Sequence, residues 1–401
     1  MQLKNRYTIL KMIHFSLSFN IIEIIIMSVV ALLFFIELFY YLYFFNRPTA
    51  FIRKKDKKNL HFLQEYPPLS VVVYTKNDAE NLEKYLPEIL EQEYPKYEVI
   101  VVNDGSTDDT KDVTSALECR YKHLYQTYIP DEARNLSRKK LALTLGIKAA
   151  KYDIIVLTHA NCHPGSRIWL QKIARNFIPG IDIVIGHAYM SGHTSRYAAF
   201  NRLMYTLKYL SFALLNRPYR GTGANLAYRK SLFFENKGFS QHLNLHFGDD
   251  DLFINEIAGH TNTRTELSPE SHMITEYDDN YRAWKELKLQ YDFTSRYLHT
   301  KAKILFPLEE LAAWLFYAGT FFLIITGILY NAVLSLIGLL LLIIHFVIQT
   351  IVYRNAAKLL NGRKLAFSLP FFTLIHPFAN LYFRLLGRFS RNKNYTWGFQ
   401  R

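Results

Sequence analysis

Apolar residues run along this chain in three different rhythms. Ile21–Phe45, Leu311–Tyr330 and Ala332–Tyr353 are almost continuously apolar, and each is long enough as a helix to cross the roughly 30 Å hydrocarbon layer of a bilayer. Between Pro67 and Thr300, short β-branched runs alternate with amphipathic stretches. Leu69–Tyr74, Tyr97–Val102, Leu124–Ile129, Asp153–Leu157 and Ile181–Ile185 predict strands, with helices over Ala79–Gln92 and Ser137–Lys151. This alternation implies an α/β, Rossmann-like domain: a mostly parallel sheet with helices on both faces. Strands covered on both sides read as near-continuous apolar runs, as these do. The third rhythm is Leu365–Leu386, apolar but interrupted by Pro370, His376, Pro377 and Arg384. Its prolines and the cations after it favour an interfacial or re-entrant segment over a full crossing. The expected division is an N-terminal anchor (1–46), a soluble domain (67–300) and a C-terminal membrane region (301–401), with transmembrane α-helices flanking the α/β core.

Charge adds an orientation. The 401 residues carry a formal net charge of +14. Such a balance can serve nucleic acid binding, but much of the excess flanks the apolar segments. Arg47, Arg53, Lys54, Lys55, Lys57 and Lys58 follow the first span, against Lys4, Arg6 and Lys11 before it, and Arg384, Arg388, Arg391 and Lys393 lie near the other end. Attraction to anionic membrane lipids accounts for this pattern. No helix-turn-helix, zinc or RNA-binding signature competes, so no nucleic acid partner is expected. The positive-inside rule sets the domain after residue 46 in the cytoplasm, on a multi-pass protein of the cell (inner) membrane. The next two spans return the chain to that side, where Arg354, Lys358, Arg363 and Lys364 lie. Glu37, inside the first span, has to face a partner helix or be protonated. Cys119 and Cys162 imply no disulfide framework and fit a reducing compartment.

The chemistry sits where strands end. Ile100–Val102 runs into Asn103-Asp104-Gly105, and Ser106 with Asp109 has the spacing of a capping box opening a helix. Asp104 thus falls at the carboxyl end of a strand, where open α/β sheets bind ligands. The first strand ends in Tyr74-Thr75-Lys76-Asn77. Far downstream come Gly221-Thr-Gly-Ala-Asn225 and Gly248-Asp-Asp-Asp-Leu252. Clustered carboxylates repel, so one of Asp249, Asp250 and Asp251 should have a raised pKa suited to proton abstraction.

In order and spacing, these motifs resemble the family 2 inverting glycosyltransferases of the GT-A fold, from about Leu69 to Tyr297, and the flanking spans match that family's membrane-bound members. The resemblance implies that Thr75, Asn77 and Asp104 cradle the nucleotide of a sugar donor, most simply a UDP-sugar. Lys140, in Lys139-Lys140-Leu-Ala-Leu, would lie near the diphosphate. Gly223, Asn225 and Asp251 would line the acceptor side. Asp250 would deprotonate the acceptor hydroxyl, with Asp249 as its partner. The implied partners are the nucleotide-sugar, membrane lipids and a lipid-linked or glycan acceptor.

Two departures qualify the implied activity. Where the family carries Asp-x-Asp for a divalent metal, this chain reads His159-Ala160-Asn161. Mg²⁺ and Mn²⁺ prefer carboxylate oxygens. Two unit charges about 4 Å apart interact by about 4 kcal/mol at an effective dielectric of 20, so losing two anions weakens a dication site by orders of magnitude. Three outcomes stay open. His159 and Asn161 hold the metal weakly, or they bond the diphosphate directly with His159 as a cation, or metal-dependent catalysis is lost. Secondly, the Gln/Arg-x-x-Arg-Trp of processive synthases is absent from Trp284–Tyr291, which reads as an interfacial amphipathic helix with Tyr281, Arg282 and Lys288. Transfer of one or a few sugars is therefore expected. The alternative is an inactive homologue that serves as a membrane scaffold in glycan assembly. His246, His260 and His272 read as fold-level residues, with His272 the one placed to reach the site.

Overall fold

The computed structural model describes residues 17–55, 61–129, 137–192 and 194–389. Lys4, Arg6, Lys11, Lys57, Lys58, Arg391 and Lys393, counted above for orientation, lie outside these residues. The strands are β1 (Leu69–Thr75), β2 (Tyr97–Asn103), β3 (Leu124–Tyr128), β4 (Ile154–His159), β5 (Cys162–Pro164), β6 (Ile183–Ile185), β7 (Ala188–Met190), β8 (Leu226–Arg229), β9 (Thr263–Thr265) and β10 (Met273–Thr275). Seven form one sheet in the order β3-β2-β1-β4-β8-β6-β9. Only β8 runs against its neighbours. β5, β10 and β7 form a second, small sheet.

The period-two pattern of β1 explains why this sheet is covered twice. Val72 joins the core beneath helices Arg138–Ala149 and Arg196–Ala213. Val71 and Val73 face the opposite core, with Leu82 and Leu86 of helix Ala79–Leu90. Gly146 lets its helix sit directly on the sheet: a Cβ there would lie 2.6 Å from Val102 Cγ2 and 2.7 Å from Val72 Cγ1. Gly146→Ala should therefore cost about 1–3 kcal/mol of stability by overpacking, read as a lower urea midpoint; an unchanged midpoint would contradict this packing.

Several expected boundaries move by a few residues. β4 runs on to His159, and β8 follows directly on Gly221–Asn225. The capping box does not form. The helix starts at Thr110, its backbone N–H bonds Asp108, and Ser106 Oγ accepts from Asn77 N instead.

Among the described residues, three helices are long and apolar enough to cross a membrane: Ile21–Phe45, Ala302–Leu329 and Ala332–Leu359. The first opens on a capping box between Asn20 and Glu23 and ends in a π-helical turn, Tyr40–Phe45. The second begins at Ala302 rather than Leu311, because Lys208 of the soluble domain pairs with Glu309 and Glu310 at 3.5 and 3.3 Å. Glu37 faces a partner helix, with its carboxylate 3.4 Å from His345 Nε2. Leu369–Phe389 is one unbroken helix rather than a hairpin, and it buries Thr373, His376, Asn380 and Phe383 against its neighbours. The core beneath helix Arg196–Ala213 also takes in Phe45, Phe306 and Tyr353, so domain and membrane helices share one apolar core.

Candidate active site

Strand order reverses between β1 and β4, and in open α/β sheets the ligand crevice opens there, outside the carboxyl ends. A cavity of about 530 Å³ lies at that point, and Asp104, His159, Asp249, Asp250 and Asp251 all line it. Residues 147 positions apart in sequence thus meet in one cleft. Asp104 is 2% exposed. It accepts hydrogen bonds from Tyr74 Oη at 2.8 Å and Arg138 Nε at 2.6 Å, with Lys76 Nζ 3.6 Å away.

The acidic triplet is held by a turn that needs glycine. Gly248 has φ +99°, and a Cβ there would lie 2.4 Å from Leu252 Cδ1. Asp250 Oδ1 accepts from Asp251 N at 2.7 Å and its Oδ2 from Gly223 N at 3.0 Å. Asp249 Oδ2 lies 2.7 Å from Lys139 Nζ. Asp251 accepts from Leu252 N and Thr294 Oγ1 and pairs with Arg220 at 3.5 Å. These environments split the carboxyls. Burial, helped by Asp249 and Asp251, pushes Asp250 up to about 7 against the opposing pull of Lys139 and the Gly223 N–H. Burial would raise Asp249 too, but Lys139 outweighs it and holds that carboxyl below its ordinary value.

Other residues singled out in the sequence sit elsewhere. Lys140 turns away from the cavity, and its buried ammonium donates to the carbonyls of His242, Leu245 and Phe247 at 2.5, 3.1 and 2.9 Å. Burial lowers its pKa to about 8. Of this pair, the lysine that lines the cleft is Lys139, one residue earlier. Thr75 is fully buried, contributing its carbonyl to Asp104 N. Asn77, at φ +51°, ties the β1 loop to the β2 loop through Thr107 N. Asn225 is a buried amide that bonds the carbonyls of His187 and Ser271 and the Trp169 indole. Gly223, by contrast, lies beside the cavity residues: a Cβ there would lie 3.2 Å from His159 Nε2 and 3.7 Å from Asp249 Oδ2. His272 is buried against His187, away from the cavity. His246 lines it instead.

The sequence reading also passed over part of the wall. Leu287, Gln290 and Tyr291 of helix Asn280–Thr294 close one side. Trp284 and Lys288 of that helix do not face lipid: Trp284 is 3% exposed and donates to Asn201 Oδ1, and Lys288 bonds Asn380. Arg202 lines the same cavity, and its buried Nη1 has no hydrogen-bond partner.

The position expected to hold a divalent metal does not have the donors for one. Asn161 points its amide to the Glu276 carbonyl at 2.8 Å and is absent from the cavity wall. Burial, with Lys139 beside it, lowers His159 to about 3, so its ring is neutral and not the cation considered above. Asp249 is taken by Lys139. Among the described residues no group of three or more His, Cys, Asp or Glu side chains could hold a metal ion.

Residues 70–237 match the family described as Glycosyl transferase family 2. Glycosyltransferase AglE of Haloferax volcanii is 32% identical over 145 residues, 34% of this chain and 46% of that protein. A poly-beta-1,6-N-acetyl-D-glucosamine synthase of Staphylococcus epidermidis is 30% identical over 119 residues, 30% of this chain and 27% of the synthase. The match thus spans less than half the length of either relative. Among solved structures, the mannosyltransferase PcManGT from Pyrobaculum calidifontis, in complex with GDP-Man and Mn²⁺, aligns at a TM-score of 0.53 and 20% identity. That alignment covers 90% of this chain and 98% of the mannosyltransferase, and it speaks for the fold. Over residues 70–237 the chain is thus similar to glycosyl transferase family 2, and its fold is that of the GT-A glycosyltransferases.

Proposed function

We propose that the protein is a membrane-anchored glycosyltransferase that moves a sugar from a nucleoside diphosphate donor to an acceptor hydroxyl with inversion. The observation that carries this reading is the facing of Asp104 and Asp250 across one cavity. Asp104, held by Tyr74 and Arg138, accepts hydrogen bonds from the nucleoside. The acceptor hydroxyl approaches the far face of the sugar, its oxygen bonds the anomeric carbon, and its proton passes to Asp250. The bond to the diphosphate breaks, and the leaving group takes the electron pair. Inversion follows from the single displacement. Preorganised positive charge at the leaving group supplies much of the rate.

A smaller polar pocket supports delivery of the acceptor from the membrane side. It lies between the soluble domain and the membrane helices, and it shares Arg202, Thr222, Leu287 and Tyr291 with the main cavity. An acceptor held there by membrane lipid fits transfer of one or a few sugars. The cytoplasmic placement is supported by the basic helix Arg47–Lys55, which contacts Ala332–Leu359, the helix that carries Arg354 and Lys358.

The test is binding of UDP, GDP and their sugars to the purified full-length protein, with donor hydrolysis followed in parallel. A nucleoside diphosphate should bind, and Asp104→Asn should weaken it by about 10-fold or more, the loss of a charge-assisted pair. Binding that Asp104→Asn leaves unchanged would remove Asp104 from the donor site. Tight binding with no turnover towards any acceptor would favour the scaffold.

A further inference from the structure

We propose that sugar transfer by this protein needs no divalent cation, because Lys139 and Arg202 take the metal's part and hold the two phosphates of the departing nucleoside diphosphate. The inference rests on the donor site proposed above and names what neutralises its leaving group.

His159, at the end of β4, and the acidic triplet line one wall of the cavity. A metal there would need an oxygen of Asp249, and Lys139 Nζ already lies 2.7 Å from it. A dication brought to that carboxylate would meet an ammonium held in place by the fold. His159 supplies at most one neutral nitrogen, hemmed by the Gly223 backbone, and Asn161 faces away. What the wall does offer is positive charge. Lys139 packs its ammonium 5.6 Å from the centre of the Tyr74 ring and keeps two further N–H donors after serving Asp249. Arg202 lines the cavity from helix Arg196–Ala213, and its Nη1 is buried without a partner.

Other cations around the site are already committed. Arg138 and Lys76 serve Asp104, Lys140 serves three carbonyls, and Arg220 serves Asp251. Among the described residues no ion pair to a carboxylate forms at Arg202, whose nearest titratable neighbours are the neutral phenols of Tyr277, Tyr291 and Tyr209. Tyr277 is also within electrostatic reach of Lys139, so the two cations flank one stretch of wall. A buried guanidinium donor without an acceptor is costly unless an anion arrives to use it. A diphosphate leaving group brings such an anion, and guanidinium and ammonium together match its two phosphates. Bond breaking at the anomeric carbon puts negative charge on the diphosphate oxygen, and these two groups receive it without a change in their own protonation.

Titration calorimetry on the full-length protein in detergent tests this, using UDP, GDP and the matching nucleosides in EDTA and then in Mn²⁺. In EDTA the preferred diphosphate should bind at least about 10-fold more tightly than its nucleoside, since charge-assisted hydrogen bonds carry the difference. Mn²⁺ should then change its affinity by less than about threefold, about 0.6 kcal/mol. Lys139→Met and Arg202→Met should each erase most of the gap between diphosphate and nucleoside, while Lys139→Arg keeps it. Diphosphate binding that appears only with Mn²⁺ overturns this proposal and leaves the donor site standing. Binding of no nucleotide under either condition overturns both. Because the EDTA and Mn²⁺ arms use the unaltered protein, a misfolded variant cannot blur the outcome.

Discussion

Asp250→Asn should lower transfer by about 10²–10⁴-fold, the range that a positioned general base supplies, while nucleotide binding persists. Asparagine keeps the shape and one acceptor oxygen for the Asp251 or Gly223 N–H, so the turn survives, but it cannot take a proton. The unaltered enzyme should show the same group in its pH profile. Burial beside Asp249 and Asp251 pushes the Asp250 pKa up to about 7, with Lys139 and the Gly223 N–H pulling the other way. A base works only when unprotonated. Turnover should therefore fall about tenfold per unit below pH 7 and level off above it. Removing the negative neighbour by Asp249→Asn should move that limb to lower pH; a limb that stays put would mean another group sets it. A profile flat from pH 5 to 8 would remove Asp250 from the base role.

Asp251→Ala should destabilise the fold by about 3–5 kcal/mol, the cost of stranding one member of a buried ion pair. Asp251 is 1% exposed and Arg220 3%. Arg220 is sandwiched between the rings of Tyr205 and Tyr291, 5.1 and 5.0 Å from their centres, and donates to the Tyr291 carbonyl. With the carboxylate gone, the buried guanidinium loses its ion-pair partner. Thermal or urea melts of the purified protein measure the loss. The double change Asp251→Leu with Arg220→Met should recover most of it, because matched apolar groups remove the stranded charge. Equal stability of the single variant and the parent would show that the pair contributes nothing.

The contrast between these neighbouring aspartates marks how far sequence can reach. The strand ends, the glycine turn and the acidic triplet were legible because each is a local signal: an apolar run, a break, a charge cluster. The roles given to Asp249 and Asp250 came from the family resemblance and not from the triplet itself, because the groups that set each carboxylate's surroundings, Lys139, Gly223, Arg220 and Thr294, come from distant segments. The Lys139-Lys140 pair failed for the same reason. Its helix buries a broad face, so helical phase cannot say which ammonium reaches the cleft. The carbonyls of residues 242–247 claim Lys140. Asn77 and Asn225 carry motif positions whose side chains the fold spends on its own backbone, and Thr75 is buried and contributes its carbonyl to Asp104 N. Helix Asn280–Thr294 read as lipid-facing because Trp and Lys at a helix surface suggest an interface, yet Asn201 and Asn380 draw both inward.

The π-helical turn at Tyr40–Phe45 has a mechanical consequence. Phe44 stacks on Phe212 and accepts from Ser211 through its carbonyl, while Tyr40 donates to the carbonyl of Leu305. The first candidate membrane helix is thus welded to the α/β domain instead of hanging from it by a flexible leash. In the proposed bilayer setting the cleft works at one fixed height above the lipid, like a gauge. An acceptor is then selected by how far it projects from the membrane as well as by its chemistry.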